Sequence, residues 1–434
     1  MTDRAPASQV FDPATYARGV PYALFRELRD HSPVCRVPEP AVGPWPAGPG
    51  YWGVFRHADV KYVLRTPELF SSSLGATQIR DPDTADDLEF LRSMVLNQDP
   101  PAHSRLRRIV AAAFTPRAVR ELETAIEERT RALVDGVAHR GAADFAELAA
   151  DLPVQTLADV LGVPQQDQRL LFDWANRVIG YQDADYAQSS TADPASLTPM
   201  GRAALALRPS APPVRPDGSP VNPRSRHGLP DMFHYAHALA EAPRPGSVMA
   251  TMAAEGLARE EFENMFFILV VAGTETLRNS LPGGLLTLLD HPDQFELFRA
   301  RPDLTGPAVE EVLRHWSPVV HIRRTAARDT ELGGVRIRRG EKVVVHHPSA
   351  NRDERVFADP DRFDITRTPN DHVSFGFGPH YCLGAHLARV QLRAMLRTAA
   401  DRLPGLERAG EPVRLTSNFL NGLKHLPVRW RTDR

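Results

Sequence analysis

Apolar and polar positions alternate along this chain mainly with the period of a helix. The segment 103–138 repeats apolar residues at helical spacing and is interrupted at Pro116, which predicts two helices with a boundary there. Helical patterning continues to about residue 180, resumes over 231–242, and runs without a break from about 259 to 289. The apolar run at 265–273 is too short to span a membrane and predicts a buried helix. The pattern as a whole predicts a mainly α-helical protein.

Strand patterns are fewer and shorter. Residues 51–65 pass from a strand pattern into a helix, and 330–347 predict a hairpin with Gly-Gly and Arg-Gly turn signals. The tail at 413–430 is again strand-like. Because neither repeated βαβ units nor a fixed-period repeat is found, we expect small sheets beside the helices and no dinucleotide-binding fold.

Composition changes sharply between residues 183 and 230. This stretch is dense in proline, serine and charge, and it lies between two helical regions. Such composition is typical of an extended surface loop or of a partly disordered insert.

Length, charge and cysteine content narrow the class of protein. The chain has 434 residues, 42% apolar, and a net charge of −2, which does not favour a nucleic-acid partner. The first residues lack the apolar core of a secretion signal. Two cysteines, Cys35 and Cys382, lie far apart, so a disulfide framework is not expected, and a structural zinc site lacks a CxxC pair. We therefore expect a cytoplasmic protein.

One of those cysteines lies in an unusual loop, FGFGPHYCLGAHLARV (375–390). Gly376 and Gly378 precede Cys382, Gly384 follows it, and a helix-like run begins at about Leu383. Glycines permit a tight loop and a close approach to a flat, bulky group. A cysteine at a helix start meets backbone N–H groups that stabilise its thiolate. One thiolate in such a loop suits the iron of haem, which needs a single axial ligand from the protein.

The same loop resembles the haem-binding loop of the cytochrome P450 family. The family pattern F-G-x-G-x-H-x-C-x-G is met in full, and the residue after it also fits. The resemblance extends over about residues 20–430 and implies that haem b is the cofactor and Cys382 the ligand of its iron. It assigns haem contacts within the loop to Phe375, Gly376, His380, Cys382, Gly384 and Ala385.

A second motif lies in the middle of the long predicted helix, AGTET (272–276). Its threonine hydroxyls can bond back to the i−4 carbonyl and open a bulge, while the glycine can serve close helix packing. The resemblance places this motif over the distal face of haem. It implies that Glu275 relays protons and that Thr276 hydrogen-bonds dioxygen.

Two further patterns match the family in chain order. AVEEVLRHW (308–316) and PDRF (360–363) imply a structural network of Glu311, Arg314 and Arg362. The haem propionates are assigned to His103 and Arg107 of an HxxxR pattern, to Arg324 and to His380. Arg323 is expected on the opposite face of the strand that carries Arg324.

The resemblance implies a mainly α fold with minor β structure, a single domain enclosing haem. We predict an N-terminal extension at 1–19 and the cytochrome P450 domain at 20–434, with the insert 183–230 in the lid region. No reductase sequence is fused to the chain, so electrons are expected from a separate ferredoxin and ferredoxin reductase. A basic docking patch of Arg105, Arg108, Arg389 and Arg393 is a hypothesis for that contact.

The implied reaction inserts one oxygen atom from O₂ into a small apolar molecule. The positions that resemble pocket-lining places are all apolar: Ile268, Val271, Ala272, Val319, Val320, Ile322, Phe419 and Leu420. They favour a terpenoid, sterol or lipid-like substrate. Two alternatives stay open. One is a biosynthetic enzyme of secondary metabolism that oxidises or couples an aromatic, polyketide or carrier-bound peptide intermediate, and the other is a non-catalytic haem sensor.

Overall fold

The computed structural model describes residues 5–42, 45–82, 84–187, 192–210 and 225–432, together with Val214, Pro216, Gly218 and Val221. Its α-helices are α1 (Pro13–Arg18), α2 (Tyr22–His31), α3 (His57–Arg65), α4 (Ala85–Arg92), α5 (Ala102–Ala111), α6 (Pro116–Ala138), α7 (Phe145–Leu161), α8 (Gln168–Ile179), α9 (Ala184–Ala187), α10 (Pro199–Leu205), α11 (Pro230–Glu241), α12 (Val248–Ala254), α13 (Arg259–Leu289), α14 (Pro292–Ala300), α15 (Thr305–Trp316), α16 (His347–Ala350) and α17 (Ala385–Arg402).

The strands are short and lie mostly at the two ends of the sequence. They are β1 (Val34–Val37), β2 (Tyr51–Val54), β3 (Phe70–Ser71), β4 (Ala142–Asp144), β5 (His321–Ala326), β6 (Thr330–Leu332), β7 (Val335–Ile337), β8 (Lys342–His346), β9 (Glu407–Arg408), β10 (Val413–Arg414), β11 (Leu423–His425) and β12 (Pro427–Arg429). The mainly α architecture with minor β structure is as predicted.

Helix α13 is the axis of the helical part. It packs against α7, α8, α15 and α17, and most of its side chains are buried. A helix that is apolar on nearly all sides needs partners all round, and these four helices supply them. The boundary predicted at Pro116 is the start of α6, where the Thr115 hydroxyl caps the helix by accepting from the Ala118 N–H.

The largest sheet has the strand order β1-β2-β8-β5-β3, with β2 and β8 parallel and the remaining pairs antiparallel. The predicted hairpin is β6–β7, and its turn residues Gly333 and Gly334 both have positive φ. In the 413–430 tail, β10 pairs with β11 only at its two residues, and the chain between them forms an irregular loop.

The N-terminal segment packs into the body of the protein from the first residues described. Val10 and Phe11 are buried in one apolar cluster with Phe25 and Tyr51, and Tyr16 is also buried. The Phe11 carbonyl also accepts a hydrogen bond from the Asn418 amide. The segment predicted to be an extension therefore contributes to the core.

The 183–230 segment is more ordered, where it is described, than its composition predicts. It contains α9 and α10, and it buries Tyr186, Leu197 and Ala204. The start of α10 is fixed because Asp167, which is fully buried, accepts from the Thr198 N–H and hydroxyl at 2.9 and 2.6 Å. The expectation of a purely extended loop is wrong for this part, while residues 188–191 and much of 211–224 lie outside the described residues. None of the described helices combines the length and apolar character needed to cross a membrane.

Candidate active site

A backbone hydrogen bond closes the Cys382 loop, and the loop packs against α3. The Cys382 N–H donates to the Phe375 carbonyl at 2.9 Å, and α17 begins three residues after the cysteine. Gly376 and Gly378 have φ values of 71° and 72°, a backbone conformation that glycine adopts without strain. A Cβ on Gly378 would lie 2.7 Å from the Leu64 carbonyl oxygen, so the loop can approach α3 this closely only with glycine there.

The thiol of Cys382 is exposed toward an internal cavity. Burial raises its pKa, while the Gly384 N–H and the guanidinium groups of Arg107 and Arg389 act in the opposite direction. A Cβ built on Gly384 would meet nothing within 4 Å, which leaves open space beside the sulfur. The surroundings therefore include both the space and the donors that a metal-bound thiolate requires.

Four nitrogen-bearing side chains converge on one side of the same cavity. They are His103, Arg107, Arg324 and His380, and all four line it. The two imidazole rings lie 4.1 Å apart, and Arg107 donates to the Tyr381 carbonyl at 2.7 Å. Arg323 faces away, as predicted, and pairs with Asp81 at 2.7 Å.

The electrostatics of this cluster indicate an anionic ligand. Burial lowers the pKa of Arg324 to about 10, with Asp99 opposing the shift. Burial and the neighbouring guanidinium groups lower the pKa of His103 to about 4 and that of His380 to about 2. His103 Nδ1 is buried and has no hydrogen-bond partner among the described residues. The buried Arg324 guanidinium, the half-buried Arg107 guanidinium and an unpaired imidazole nitrogen match the two carboxylates that haem carries.

The cavity itself has a volume of about 330 Å³ and lies between α13 and the Cys382 loop. Seven of the eight predicted pocket positions line it: Ile268, Val271, Ala272, Val319, Ile322, Phe419 and Leu420. Val320 is not among the lining residues; its side chain is fully buried, while the adjacent Val319, which bridges to Leu420, lines the cavity. Ala385 is likewise buried in the first turn of α17 and is not part of the lining.

The AGTET segment presents one face of α13 to the cavity. Thr276 Oγ1 donates to the Ala272 carbonyl at 2.8 Å, and both residues line the cavity together with Glu275. The back-bond is as predicted, but α13 continues as a regular helix through it without a bulge. Gly273 serves packing, since a Cβ there would lie 3.0 Å from the Leu157 side chain of α7.

Glu275 is almost completely buried at the edge of the cavity. Burial raises the pKa of its carboxyl group, and Arg278 and the Tyr186 hydroxyl oppose that shift. Tyr186 donates to Glu275 Oε2 at 2.5 Å. A carboxyl group with a raised pKa beside a hydroxyl-bearing cavity wall is suited to hold and release a proton.

Several lining residues were not predicted from the sequence. They come from the turn before α5, from α7 and α8 and from the N-terminal half of α13: Val95, Leu96, Pro153, Ile179, Met265 and Leu269. All are ordinary apolar residues in ordinary helical patterns. The only signal that could have identified the α13 pair is its helical spacing from Ile268 and Ala272.

The structural network around Glu311 differs from the prediction in one member. Arg314 donates through Nε and Nη2 to the Glu311 carboxylate at 2.7 and 2.8 Å, and both side chains are fully buried. The second guanidinium is that of Arg367, 3.2 Å from Glu311 Oε2. Arg362 is exposed and contributes only its backbone carbonyl, which accepts from Arg314 at 3.1 Å. The prediction that the Arg362 side chain completes the network is therefore wrong.

Three of the four arginines in the predicted basic patch form ion pairs with acidic side chains. Arg389 forms two hydrogen bonds with Glu310 at 2.6 and 2.8 Å, and Arg393 lies 3.3 Å from Glu123. Arg105 pairs with Glu261. These contacts reduce the positive potential that the four arginines would otherwise present.

The protein was compared with family models, curated proteins and solved structures. The model for "Cytochrome P450" matches residues 301–400. The chain is 36% identical to the steroid C26-monooxygenase of Rhodococcus jostii (strain RHA1), over 97% of this chain and 84% of that protein. It is 37% identical to the methyl-branched lipid omega-hydroxylase of Mycobacterium tuberculosis (strain ATCC 25618 / H37Rv), over 94% and 90%. A Mycobacterium marinum cytochrome P450 solved in complex with pseudoionone superposes with a TM-score of 0.80 at 35% identity, covering 96% and 97% of the two chains.

Proposed function

The chain belongs to the cytochrome P450 family and is a haem b monooxygenase, and we propose that it hydroxylates a sterol or a branched lipid. The overall reaction consumes O₂, two electrons and two protons. One oxygen atom enters a substrate C–H bond to give an alcohol, and the other leaves as water.

We assign the cofactor contacts to residues that already face the cavity. Cys382 Sγ is the ligand of the iron, and haem bound through a thiolate supplies the activation of O₂ that the reaction needs. His103, Arg107, Arg324 and His380 would hold the propionates, the two arginines by ion pairing and the two histidines by hydrogen bonding. Phe375, Gly376 and Gly384 shape the loop side of the cavity.

Proton supply is assigned to the distal wall. The Glu275 carboxyl group holds a proton at the cavity edge, and the Thr276 hydroxyl would pass it into the cavity between α13 and the Cys382 loop. To do so, Thr276 Oγ1 exchanges its hydrogen bond to the Ala272 carbonyl for one within the cavity. Thr276 therefore acts as a positioning and relay hydroxyl, and Glu275 as the acid.

The apolar wall of the cavity is the observation that carries the substrate assignment. Ile268, Val271, Val319, Phe419 and Leu420 line it, and the polar groups on the α13 side are Glu275, Thr276 and Ser280. A hydrocarbon substrate loses little hydration on entering such a space, whereas a polar one would leave its groups unpaired. The names of the two curated relatives, which act on a steroid and on a methyl-branched lipid, support the same class of substrate.

We further propose a separate ferredoxin and ferredoxin reductase as electron donors and the cytoplasm as the location. A donor is needed because the reaction consumes two electrons per turnover, which haem by itself does not provide. Cys35 and Cys382 are not joined in a disulfide, which suits a reducing compartment.

Optical titration of the haem-loaded protein tests the substrate class. The panel contains cholesterol and a methyl-branched fatty acid on one side and phenolic aromatics on the other. A Soret shift with the sterol or the branched lipid, followed by a hydroxylated product in a reconstituted assay, is the expected result. A shift and product confined to the aromatics would replace this proposal with the biosynthetic one.

A further inference from the structure

The Glu275 side chain accepts a hydrogen bond from a residue outside α13. Tyr186 lies in α9, at the start of the 183–230 segment, and its hydroxyl donates to Glu275 Oε2 at 2.5 Å. Both side chains are only 1% exposed. Burial keeps the pKa of Tyr186 well above its ordinary value, so the hydroxyl stays protonated and remains a donor.

Arg278 completes the surroundings of the carboxyl group. Its Nη1 lies 3.5 Å from Glu275 Oε1, and its guanidinium stacks between the rings of Phe172 at 4.1 Å and Tyr186 at 4.3 Å. Asn176 of α8 accepts a hydrogen bond from the same guanidinium. Tyr186 therefore acts on Glu275 twice, by its own hydrogen bond and by holding Arg278.

The residues just before α9 form hydrogen bonds and an ion pair with the segment that lines the substrate cavity. Asp183, just before α9, accepts from the Thr416 N–H at 3.0 Å and pairs with Lys424 at 3.1 Å. Gln182 exchanges two hydrogen bonds of 3.3 Å with Asn418. The same loop, between β10 and β11, carries the cavity residues Phe419 and Leu420.

These contacts form one continuous path from the substrate cavity to the proton donor. We propose that Tyr186 is a positioning residue for Glu275, so that proton delivery toward Thr276 is complete only while α9 is docked on the 413–425 loop. Substrate in contact with Phe419 and Leu420 stabilises that docked state. This inference rests on the proposed role of Glu275 and adds to it the element that holds the carboxyl group.

Tyr186→Phe tests the inference in the haem-loaded full chain. With cholesterol, NADPH and a surrogate ferredoxin and reductase, the ratio of hydrogen peroxide released to hydroxylated product should rise about tenfold, the factor expected for losing one hydrogen bond to a charged group. Tyr235→Phe is the matched control, because Tyr235 is also fully buried and its hydroxyl donates to Asp167 at 2.8 Å, away from the cavity.

A second readout does not depend on turnover. The infrared carboxyl band of Glu275, identified by difference against Glu275→Gln, should titrate at a higher pH in Tyr186→Phe because a hydrogen bond that favours the carboxylate is lost. Arg278 and Tyr186 are the titratable groups that act on Glu275 among the described residues. Tyr235→Phe should leave this titration in place.

The outcomes separate the inference from the proposed function. If Glu275→Gln raises the peroxide ratio and Tyr186→Phe behaves like Tyr235→Phe, Tyr186 has only a structural role and the inference is overturned. If Glu275→Gln leaves the ratio unchanged, the proposed role of Glu275 fails, and the inference with it. Should Tyr186→Phe not fold, Lys424→Met releases α9 without touching Tyr186 and should raise the ratio in the same direction. An unchanged ratio there would overturn the docking step.

Discussion

Glu311 is a buried carboxylate that is stabilised by the hydrogen-bond donors around it. Its two oxygens accept from the Arg314 and Arg367 guanidinium groups, from the Asn370 amide at 3.1 Å and from the Asp364 N–H at 2.9 Å. A fully buried carboxylate loses its hydration, and a set of charged and neutral donors offsets that loss. The network joins α15 to the chain that leads into the Cys382 loop, so it supports the haem side of the molecule.

Replacing Arg367 by Met should destabilise the protein by about 2 kcal/mol, since Glu311 would lose a charged donor. Arg362→Met, five residues away and exposed, should change stability by less than about 0.5 kcal/mol. The midpoints of urea unfolding of the two variants provide the measurement. Equal midpoints would show that the Arg367 contact contributes nothing to folding.

At the level of elements, the Cys382 loop owes its position to its contact with α3. Gly378 combines a positive φ with a backbone approach that leaves no room for a side chain, because the Leu64 carbonyl and Arg65 Cα lie 2.7 and 2.8 Å from the Cβ position. Both atoms belong to helix backbone and cannot move aside easily. The placement of the sulfur over the cavity therefore depends on the packing between loop and helix.

Gly378→Ala is accordingly expected to displace the loop and to lower the fraction of purified protein that retains haem. Gly340→Ala is the control, since Gly340 also has a positive φ, 85°, but its Cβ position is open. Both variants carry the backbone cost of about 1–2 kcal/mol for a left-handed residue, and only the first adds a clash. The ratio of Soret to protein absorbance measures the difference. The same haem content in both variants would argue against a role for the α3 contact.

On the scale of the whole molecule, a cluster of neutral histidines joins the main sheet to the cavity. His321 and His346 face each other across β5 and β8, and the His346 ring stacks on Phe55 at 4.9 Å. Burial lowers the pKa of His321 and His347 to about 4 and that of His346 well below its ordinary value. All three are nearly inaccessible to solvent.

These histidines should make the fold sensitive to acid. The unfolded chain takes up protons below about pH 6.5, while the folded chain does not until much lower pH, so their contribution to stability is full above pH 6.5. It is lost as the pH falls from 6.5 to about 4. In His346→Phe, the slope of the unfolding free energy against pH should be smaller by up to about 1.4 kcal/mol per pH unit. This is the slope that corresponds to the uptake of one proton.

Denaturant unfolding at pH 7 and pH 5 provides the measurement for His346→Phe. His139→Gln, at an exposed position after α6, serves as the control and should keep the parent's pH dependence. If His346→Phe lost stability between pH 7 and pH 5 as steeply as the parent, His346 would not be among the groups that stay neutral in the fold.

Much of the site was predictable because many of its residues are close together in the sequence. The Cys382 loop, the HxxxR pair on α5 and the AGTET turn of α13 each lie within a few residues, where backbone geometry and helical spacing dictate which side chains share a face. The helix boundaries at Pro116, Arg259 and Leu289 follow from capping and periodicity for the same reason. The sequence by itself therefore determined the class of fold, the loop that carries Cys382, and the His103–Arg107 pair that lines the same cavity.

Contacts between distant segments were decided only in the folded molecule. Arg362 and Arg367 lie on one irregular stretch, and the path of that stretch over α15 selects which guanidinium reaches Glu311. Val319 and Val320 are adjacent residues of the same type, so the sequence does not distinguish them. The backbone bridge between Val319 and Leu420 decides which of the two faces the cavity. Tyr186 comes from a segment whose composition predicts a loop. It meets Glu275 because α9 docks on the 413–425 loop, and such docking depends on three-dimensional packing that no local pattern encodes.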